Sequence, residues 1–568
     1  MSSLRPELLA GTQRLGYTAL TDIQERALPP ALAGRDVVGK AKTGSGKTVV
    51  FGLALLQRLD MNMSSAGRPQ ALVLSPTREL AQQLVGAVRG LAVGLDGTRV
   101  VAVTGGATSR DQRDAIAAGV HVVVGTPGRV LAMLDAGYMD PSALRTLVLD
   151  EADTLLNMGF EEEVHRIIKQ LPRSASGGDA IGRQTLLFSA TWPAKVETLS
   201  ARVQSRPEVV SDGDGDGDGA GGAAAAQVDR SLLRQTALLL PAGTDRAAVL
   251  CAVLAARGDG GGAVLGAPPK PEAEVEAKVE AGPGLAVVFC ETKQQCREVA
   301  ARLQEDGAAA LALHGDLEQR ERDRVLVRFR NGSCRILVAT NVAARGLDVA
   351  GIGLVVCYEL SGGQDCGERH THRVGRTARA ESAGEALSLV RLADAEPRGG
   401  GGGGGGGVGG GGGGRGGRGG GGRSGGRGGG GSGGGSELGR LEAIEASLGG
   451  EKIPRVQWAD APENSNSAGR RAGSPGTAGL AAGWSAEWRT LLVQGGRRDK
   501  LRPGDILGAL TSSGSGSGLS GADVGTIEVT DQRTWVAVRS AAAAEAAAAL
   551  GKTRIKKSKF KVHLVDET

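Results

Sequence analysis

Short, uninterrupted apolar runs recur along the first two-thirds of the chain, separated by longer stretches with helical periodicity. Between about residues 15 and 210 the runs are Asp36-Val37-Val38, Ala71-Leu72-Val73-Leu74, His121-Val122-Val123-Val124, Leu147-Val148-Leu149 and Leu186-Leu187-Phe188. Runs this short and apolar suit strands buried on both faces of a parallel sheet, with crossover helices between them. The pattern predicts an open, doubly wound α/β domain over 1–210. It breaks at 211–228, a run of Asp, Gly and Ala that buries no core and reads as a flexible linker. It resumes over 229–395 with Ala286-Val287-Val288-Phe289, Leu311-Ala312-Leu313, Ile336-Leu337-Val338-Ala339, Leu354-Val355-Val356 and Ala386-Leu387-Ser388-Leu389. A Gly/Pro/Glu-rich insertion near 257–284 reads as a surface loop.

Beyond residue 395 the pattern changes twice. Residues 396–436 are almost all glycine, punctuated by Arg415, Arg418, Arg423 and Arg427, and a short helical stretch and polar residues carry this linker to 483. Residues 484–568 return to alternating strand-like and helical patterns and predict a small α+β module.

Length and composition narrow the class. A chain of 568 residues exceeds one ordinary core. Aliphatic residues are plentiful, so the domains have cores to build even with few aromatics. The net charge of +5 is small, but Lys and Arg concentrate near the C-terminus. Cys251, Cys290, Cys296, Cys334, Cys357 and Cys366 form no CxxC pair and read as reduced thiols, which argues against a disulfide framework or a zinc site. The N-terminus shows no apolar signal core and no run is long enough for a bilayer. A soluble cytoplasmic protein is expected, with an organelle stroma or matrix, or the nucleolus, as other compartments.

The chemistry begins at Ala41-Lys42-Thr43-Gly44-Ser45-Gly46-Lys47-Thr48, after the strand at Val37-Val38 and before an apolar helix. Glycines let backbone N–H groups close around phosphates, and the helix N-terminus adds positive potential. Thr43, Gly44, Ser45 and Gly46 would cradle ATP, Lys47 would reach its β- and γ-phosphates, and the Thr48 hydroxyl would ligate Mg²⁺. Asp150-Glu151-Ala152-Asp153 follows another buried run. There Asp150 would hold Mg²⁺ through water, and Glu151 would orient or deprotonate the attacking water.

With these two motifs in place, the chain resembles the DEAD-box RNA helicases. That resemblance implies two tandem RecA-like parallel-sheet domains. Gly16-Tyr17 with Thr21, Ile23 and Gln24 is similar to the adenine-reading motif, in which Gln24 bonds the adenine edge beside Tyr17. Ser189-Ala190-Thr191 is similar to the motif that couples hydrolysis to RNA binding. His372-Arg373-Val374-Gly375-Arg376-Thr377-Ala378-Arg379 is similar to the motif whose arginines, here Arg376 and Arg379, act as fingers, and Asp348 matches the residue that contacts the ribose. A planar, permanently charged guanidinium suits charge developing on a γ-phosphate, and supplying it from a second domain ties hydrolysis to closure.

The RNA-handling set implied by the same resemblance is Pro76, Thr77, Arg78, Gly105, Gly106, Thr126 and Arg129 in the first domain, with Gln319, Arg322 and Thr340 in the second. Asn341 stands where the family commonly has Asp. Such contacts go mostly to phosphate and sugar, so this engine is expected to be blind to base sequence. The segment Gly495–Leu510 and the closing Arg554-Ile555-Lys556-Lys557-Ser558-Lys559-Phe560-Lys561-Val562 resemble the RRM-like RNA-binding domain of DbpA-type members. In that stretch a strand with one basic face is expected, with Arg554, Lys556, Lys557 and Lys559 on RNA phosphates. The resemblance implies RNA-stimulated ATP hydrolysis with local duplex unwinding, directed to structured large-subunit ribosomal RNA or pre-ribosomal particles by a monomeric chain without membrane attachment. An ATP-gated RNA clamp or assembly scaffold is the alternative reading, and a DNA helicase is disfavoured by the tail. The Gly/Arg tract fits either weak RNA contact or a tether.

Overall fold

The computed structural model describes residues 4–41, 44–62, 66–106, 109–172, 182–211, 232–258, 284–344, 349, 351–363, 365–378, 383–392, 436–458, 480, 483–512, 519–530 and 532–565. Of the linker expected at 211–228 only Ser211 is described, and it ends a strand instead; the rest of that linker and most of the insertion near 257–284 lie outside the described residues.

The first domain is a seven-stranded sheet of β1 (Val37–Lys40), β2 (Ala71–Leu74), β3 (Val100–Val103), β4 (Val122–Gly125), β5 (Thr146–Leu149), β6 (Gln184–Ser189) and β7 (Glu208–Ser211). Its order is β3-β4-β2-β5-β6-β1-β7, and every pairing is parallel. Each apolar run predicted as a strand is one. The central strands are buried throughout because helices cover both faces, with separate clusters around Phe51 and Phe188 on one side and Leu72, Leu147 and Ile167 on the other.

The second domain repeats the plan with β8 (Leu233–Leu240), β9 (Leu285–Cys290), β10 (Ala310–Leu313), β11 (Ile336–Thr340), β12 (Ile352–Cys357), β13 (Gly384–Arg391) and β14 (Arg455–Gln457). Their order is β10-β11-β9-β12-β13-β8-β14, again parallel. The six cysteines are all buried free thiols, and burial pushes Cys251 up to about 12 and Cys296 up to about 11.

Part of the stretch expected as linker belongs to this second domain. The helix Glu437–Ser447 buries Leu441 and Ile444 against Cys357, Leu360 and Val390. Glu437 pairs with the buried Arg246 at 2.6 Å and accepts a hydrogen bond from the Arg391 amide at 2.6 Å. Composition hid this because the glycine tract separates the helix from its domain in sequence, whereas the two flanks of that tract meet in space.

The closing module is an antiparallel sheet of β15 (Trp488–Val493), β16 (Val524–Val529), β17 (Thr534–Arg539) and β18 (Val562–Leu564), ordered β16-β17-β15-β18. The helices Pro503–Thr511 and Ala543–Lys552 cover one face through Ile506, Leu510, Ala546 and Leu550. The basic stretch 554–561 is not the expected strand. It closes a tight turn bridged between Ile555 and Ser558, with Lys556 and Lys557 at φ 50° and 73°, a left-handed conformation incompatible with a strand. Among the described residues no helix is long and apolar enough to cross a membrane.

Trp484, just ahead of this module, is buried in the second domain's core, where its indole N–H donates to the Leu254 carbonyl at 2.7 Å. Trp484→Ala should cost about 3–5 kcal/mol in denaturant unfolding, since it opens a large cavity in the core. A loss under about 1 kcal/mol would show that the anchor is not real.

Candidate functional site

Sheet order divides the C-terminal edge of the first domain into two halves. The neighbours β5, β6 and β1 end in Asp150, Ser189 and the phosphate-loop segment, while β3, β4 and β2 end near Gly105, Thr126 and Thr77. Ligands gather at this edge because the loops there are free to diverge.

In the first half the helix Lys47–Gln57 starts from Gly46, whose φ of 93° is one that L side chains rarely adopt. The Lys47 ammonium turns back to the Ala41 carbonyl at 3.1 Å and is buried. Gln24 and Thr21 brace the loop: the Gln24 amide N donates to the Gly46 carbonyl at 3.2 Å, and the Thr21 hydroxyl donates to the Ser45 carbonyl at 2.8 Å. The Gln24 carbonyl oxygen accepts from the Thr21 amide at 3.1 Å. Tyr17 is exposed nearby in sequence, and Thr48 sits on the first helical turn beyond Lys47.

Asp150 is buried at the end of β5 and accepts from the Glu151 amide at 3.0 Å. Burial pushes its carboxyl up to about 6, with the Lys47 ammonium opposing and the Glu151 carboxylate adding to the rise. Glu151 has φ 49° and ψ 56°, a strained geometry for a residue with a Cβ and a frequent mark of a functional site.

Asp153 links this half to the rest. Its Oδ2 accepts from the Thr191 amide and hydroxyl, both at 2.8 Å, and its Oδ1 accepts from the Thr154 amide at 2.8 Å. The Ser189 hydroxyl accepts from the Asp153 amide at 3.2 Å and donates to the Thr191 carbonyl at 2.7 Å. From the second domain, His372 Nε2 comes within 4.0 Å of Asp153, and Glu368 Oε1 accepts from Asn157 Nδ2 at 3.0 Å. Burial raises the Asp153 carboxyl, but His372 and the Thr191 bonds outweigh it and hold it below its usual range. Arg376 is buried, its Nε on the His372 carbonyl at 3.3 Å. His370 is a core histidine set on Gln235 at 3.0 Å, and burial pushes it down to about 4. Thr43, Asp348 and Arg379 lie outside the described residues.

The second half forms one open pocket with the other domain. Pro76, Thr77, Arg78, Gly105, Thr126, Arg129, Gln319 and Arg322 all line it. Arg78 donates to the Gln319 carbonyl oxygen at 2.8 Å, and Arg322 pairs with Glu79 at 3.0 Å. Arg129 Nε reaches Gln112 at 3.0 Å, leaving its buried Nη2 without a partner among the described residues. Gly106 adjoins the pocket at φ 79°, whereas Thr340 lies away from it at the buried end of β11.

A second basic groove lies on the closing module, between Arg497, Lys500, Arg502, Glu528 and Lys556. Lys556 is pinned there by Asp505 at 2.8 Å. Arg554, Lys557 and Lys559 are exposed but do not line it. Arg497, Lys500 and Arg502 were absent from the residues expected to touch RNA. Their signal was the density of cations immediately before the Pro503–Thr511 helix. The sheet face away from the module's helices is covered: Trp535, Leu492 and Val565 pack on Val327, and Thr490 bonds Asn331 and Ser333, both at 2.8 Å.

The Asp150 carboxyl makes a pH prediction. A carboxyl whose folded pKa exceeds its unfolded one takes up a proton on folding, so its burden on the nucleotide-free fold grows as pH rises from about 4 through about 6. Asp150→Asn should therefore melt higher than wild type at neutral pH, by about 3 kcal/mol at most, and the gap should shrink toward pH 4. A gap independent of pH in thermal unfolding would refute this.

Comparison with known proteins agrees with this arrangement. The family model described as DEAD/DEAH box helicase matches residues 21–199, the helicase conserved C-terminal domain matches 273–381, and the DbpA RNA binding domain matches 490–564. The chain is 37% identical over 568 residues to the ATP-dependent RNA helicase DbpA of Escherichia coli, covering 100% of this chain and 98% of that protein. It is 31% identical over 392 residues to eukaryotic initiation factor 4A of Caenorhabditis elegans, covering 69% of this chain and 85% of that one. Among solved structures, an S. cerevisiae Dbp5 variant bound to RNA and ADP BeF3 is similar with a TM-score of 0.60 at 25% identity, covering 80% of this chain and 94% of that one. The chain belongs to the DEAD-box family of ATP-dependent RNA helicases, in its DbpA-like branch.

Proposed function

We propose that this helicase uses RNA-stimulated ATP hydrolysis to open short duplexes in large-subunit ribosomal RNA during ribosome assembly, and that its closing module selects the site. The observation carrying this reading is the pairing of two RNA surfaces of different character. The pocket shared by the two helicase domains offers backbone turns, hydroxyls and guanidinium groups, which suit phosphate and sugar. The basic groove at Arg497, Lys500 and Arg502 belongs to a separate module of the kind that resembles the DbpA RNA-binding domain.

In this reading Lys47 steadies the β- and γ-phosphates and Glu151 orients the attacking water. Arg376 and Arg379 meet the developing charge when the domains close, Asp348 meets the ribose, and Tyr17 and Gln24 read the adenine. Asp150 and Thr48 would hold Mg²⁺. The fit is supported by the Asp150 carboxylate, an oxygen ligand buried at the end of β5 beside the Lys47 helix start, and the ion would neutralise phosphate charge and polarise the γ-phosphate. Thr191 donates to the Asp153 carboxylate that faces His372, and the Ser189 hydroxyl accepts from the Asp153 backbone amide, so closure and RNA grip shift together.

Two measurements test this. Glu151→Gln should lower RNA-stimulated kcat about 100-fold or more while RNA binding persists. An ATPase that RNA does not stimulate, or a mutant turning over like wild type, would sink the catalytic reading. Separately, replacing Lys500 and Arg502 with Ala should abolish preferential stimulation by a large-subunit ribosomal RNA fragment and lower the salt dependence of its binding. Stimulation by saturating unstructured RNA should stay intact. Equal loss on both RNAs would argue against a targeting module.

A further inference from the structure

Arg373 lies in the helix Cys366–Val374, just ahead of Arg376, and its side chain is 3% exposed. All its nitrogens are used. Nε donates to Asn341 Oδ1 at 2.6 Å, Nη1 to the Glu359 carbonyl at 2.5 Å, and Nη2 to Ser361 Oγ at 2.8 Å and to Glu291 Oε1. The Phe289 ring centroid is 5.5 Å away. One guanidinium thus joins the end of β9, the start of the helix Asn341–Ala344, the turn after β12 and the arginine-bearing helix. Glu291 is the carboxylate ion-paired with it among the described residues.

This cluster gives a reason for Asn341, which stands where the resembled family commonly has Asp. Its Oδ1 faces Arg373, while its Nδ2 donates to Glu291 Oε1 at 3.3 Å and to Ser361 Oγ at 3.4 Å. Ser361 itself donates to the same Glu291 oxygen at 2.7 Å. A carboxylate at 341 would set oxygen against oxygen and place two acids on one buried cation. With a neutral side chain at both positions, the guanidinium would be buried unpaired, which is costly.

We propose that Glu291 is the positioning carboxylate for the arginine-bearing helix, supplying the charge that an Asp at 341 would otherwise supply, and that Asn341 is an amide because Glu291 is an acid. The Glu291 environment agrees: burial raises its carboxyl, yet Arg373 and the Ser361, Arg373 and Asn341 hydrogen bonds hold it below the usual range. The proposal rests on the finger role assigned above to Arg376, which follows Arg373 at the end of this helix.

The test is a charge-exchange cycle in the full chain: Glu291→Gln, Asn341→Asp and both together, read by RNA-stimulated ATPase and by thermal unfolding. Each single change should lower kcat about 10-fold or more with the KM for ATP changed much less, because the fingers act in the transition state. The double variant, with the acid moved to 341, should return to within about threefold of wild type. Loss of a generic packing contact would not be rescued in this way. Wild-type kcat in Glu291→Gln, or a double variant no better than the product of the singles, overturns the proposal. If Glu291→Gln does not fold, the double variant decides: a folded, active double supports the exchange and an unfolded one overturns it. Should wild type show no RNA-stimulated turnover, the activity reading fails instead, and the same cycle in unfolding midpoints still tests the pair.

Discussion

The carboxylate of Asp153 is the point on which the two-domain machine depends. It is almost fully buried, takes the amide and hydroxyl of Thr191 on one oxygen and the Thr154 amide on the other, and meets His372 from the opposite domain. A buried acid is tolerated only with such partners. Satisfying it therefore fixes the end of β6 against the end of β5 and rewards the approach of the second domain. The phosphate-side residues and the arginine-bearing helix are brought to one cleft by the same group.

Parallel topology supplies the rest of the constraint. In a parallel sheet every strand delivers its C-terminal end to the same edge, and sheet order alone decides which ends are neighbours. Here β5, β6 and β1 bring Asp150, Ser189 and Lys47 together, and β3, β4 and β2 bring Gly105, Thr126 and Thr77 together beside them. In the second sheet, Gln319 follows β10, Thr340 ends β11 and Glu291 follows β9. Those three strands are adjacent, so the pocket shared with the first domain and the Arg373 cluster occupy neighbouring parts of one edge.

Strands buried on both faces were legible in the sequence, because they carry runs of three or more mostly apolar residues. Most edge and interrupted strands were not, the wholly apolar edge strand β10 being an exception. Two of the four residues of β3 are half-exposed, β8 contains Arg234 and Gln235, and β14 is a three-residue edge strand. The motif residues singled out in the sequence fall at the ends of neighbouring strands, where Asp150, Ser189 and Lys47 meet on one side and Pro76, Thr77, Arg78, Gly105, Thr126, Arg129, Gln319 and Arg322 line one pocket on the other. The partner of Arg373 was not, since Glu291 and Asn341 converge only through β9 and β11. The closing basic stretch misled for a local reason: alternation of Lys with Ile and Phe fits a strand, and only the left-handed Lys556 and Lys557 reveal a turn.

The position of the closing module follows from two features that composition conceals. The glycine tract leaves the second domain after β13 and the chain returns to it at Glu437, where the Arg391 amide and the Arg246 guanidinium hold the returning helix. Trp484 then buries itself in the same domain immediately before β15. The module is thus attached through an anchored segment rather than through the tract, and its sheet face is spent on the helix Gln319–Arg330. That helix places Gln319 and Arg322 in the RNA pocket at its start and sets Val327 and Arg330 against Trp535 and Glu528 toward its end. The contacts of Val327, Arg330, Asn331 and Ser333 with Trp535, Glu528 and Thr490 set the module beside the pocket that Gln319 and Arg322 line. A flexible tether of similar length would impose no such relation.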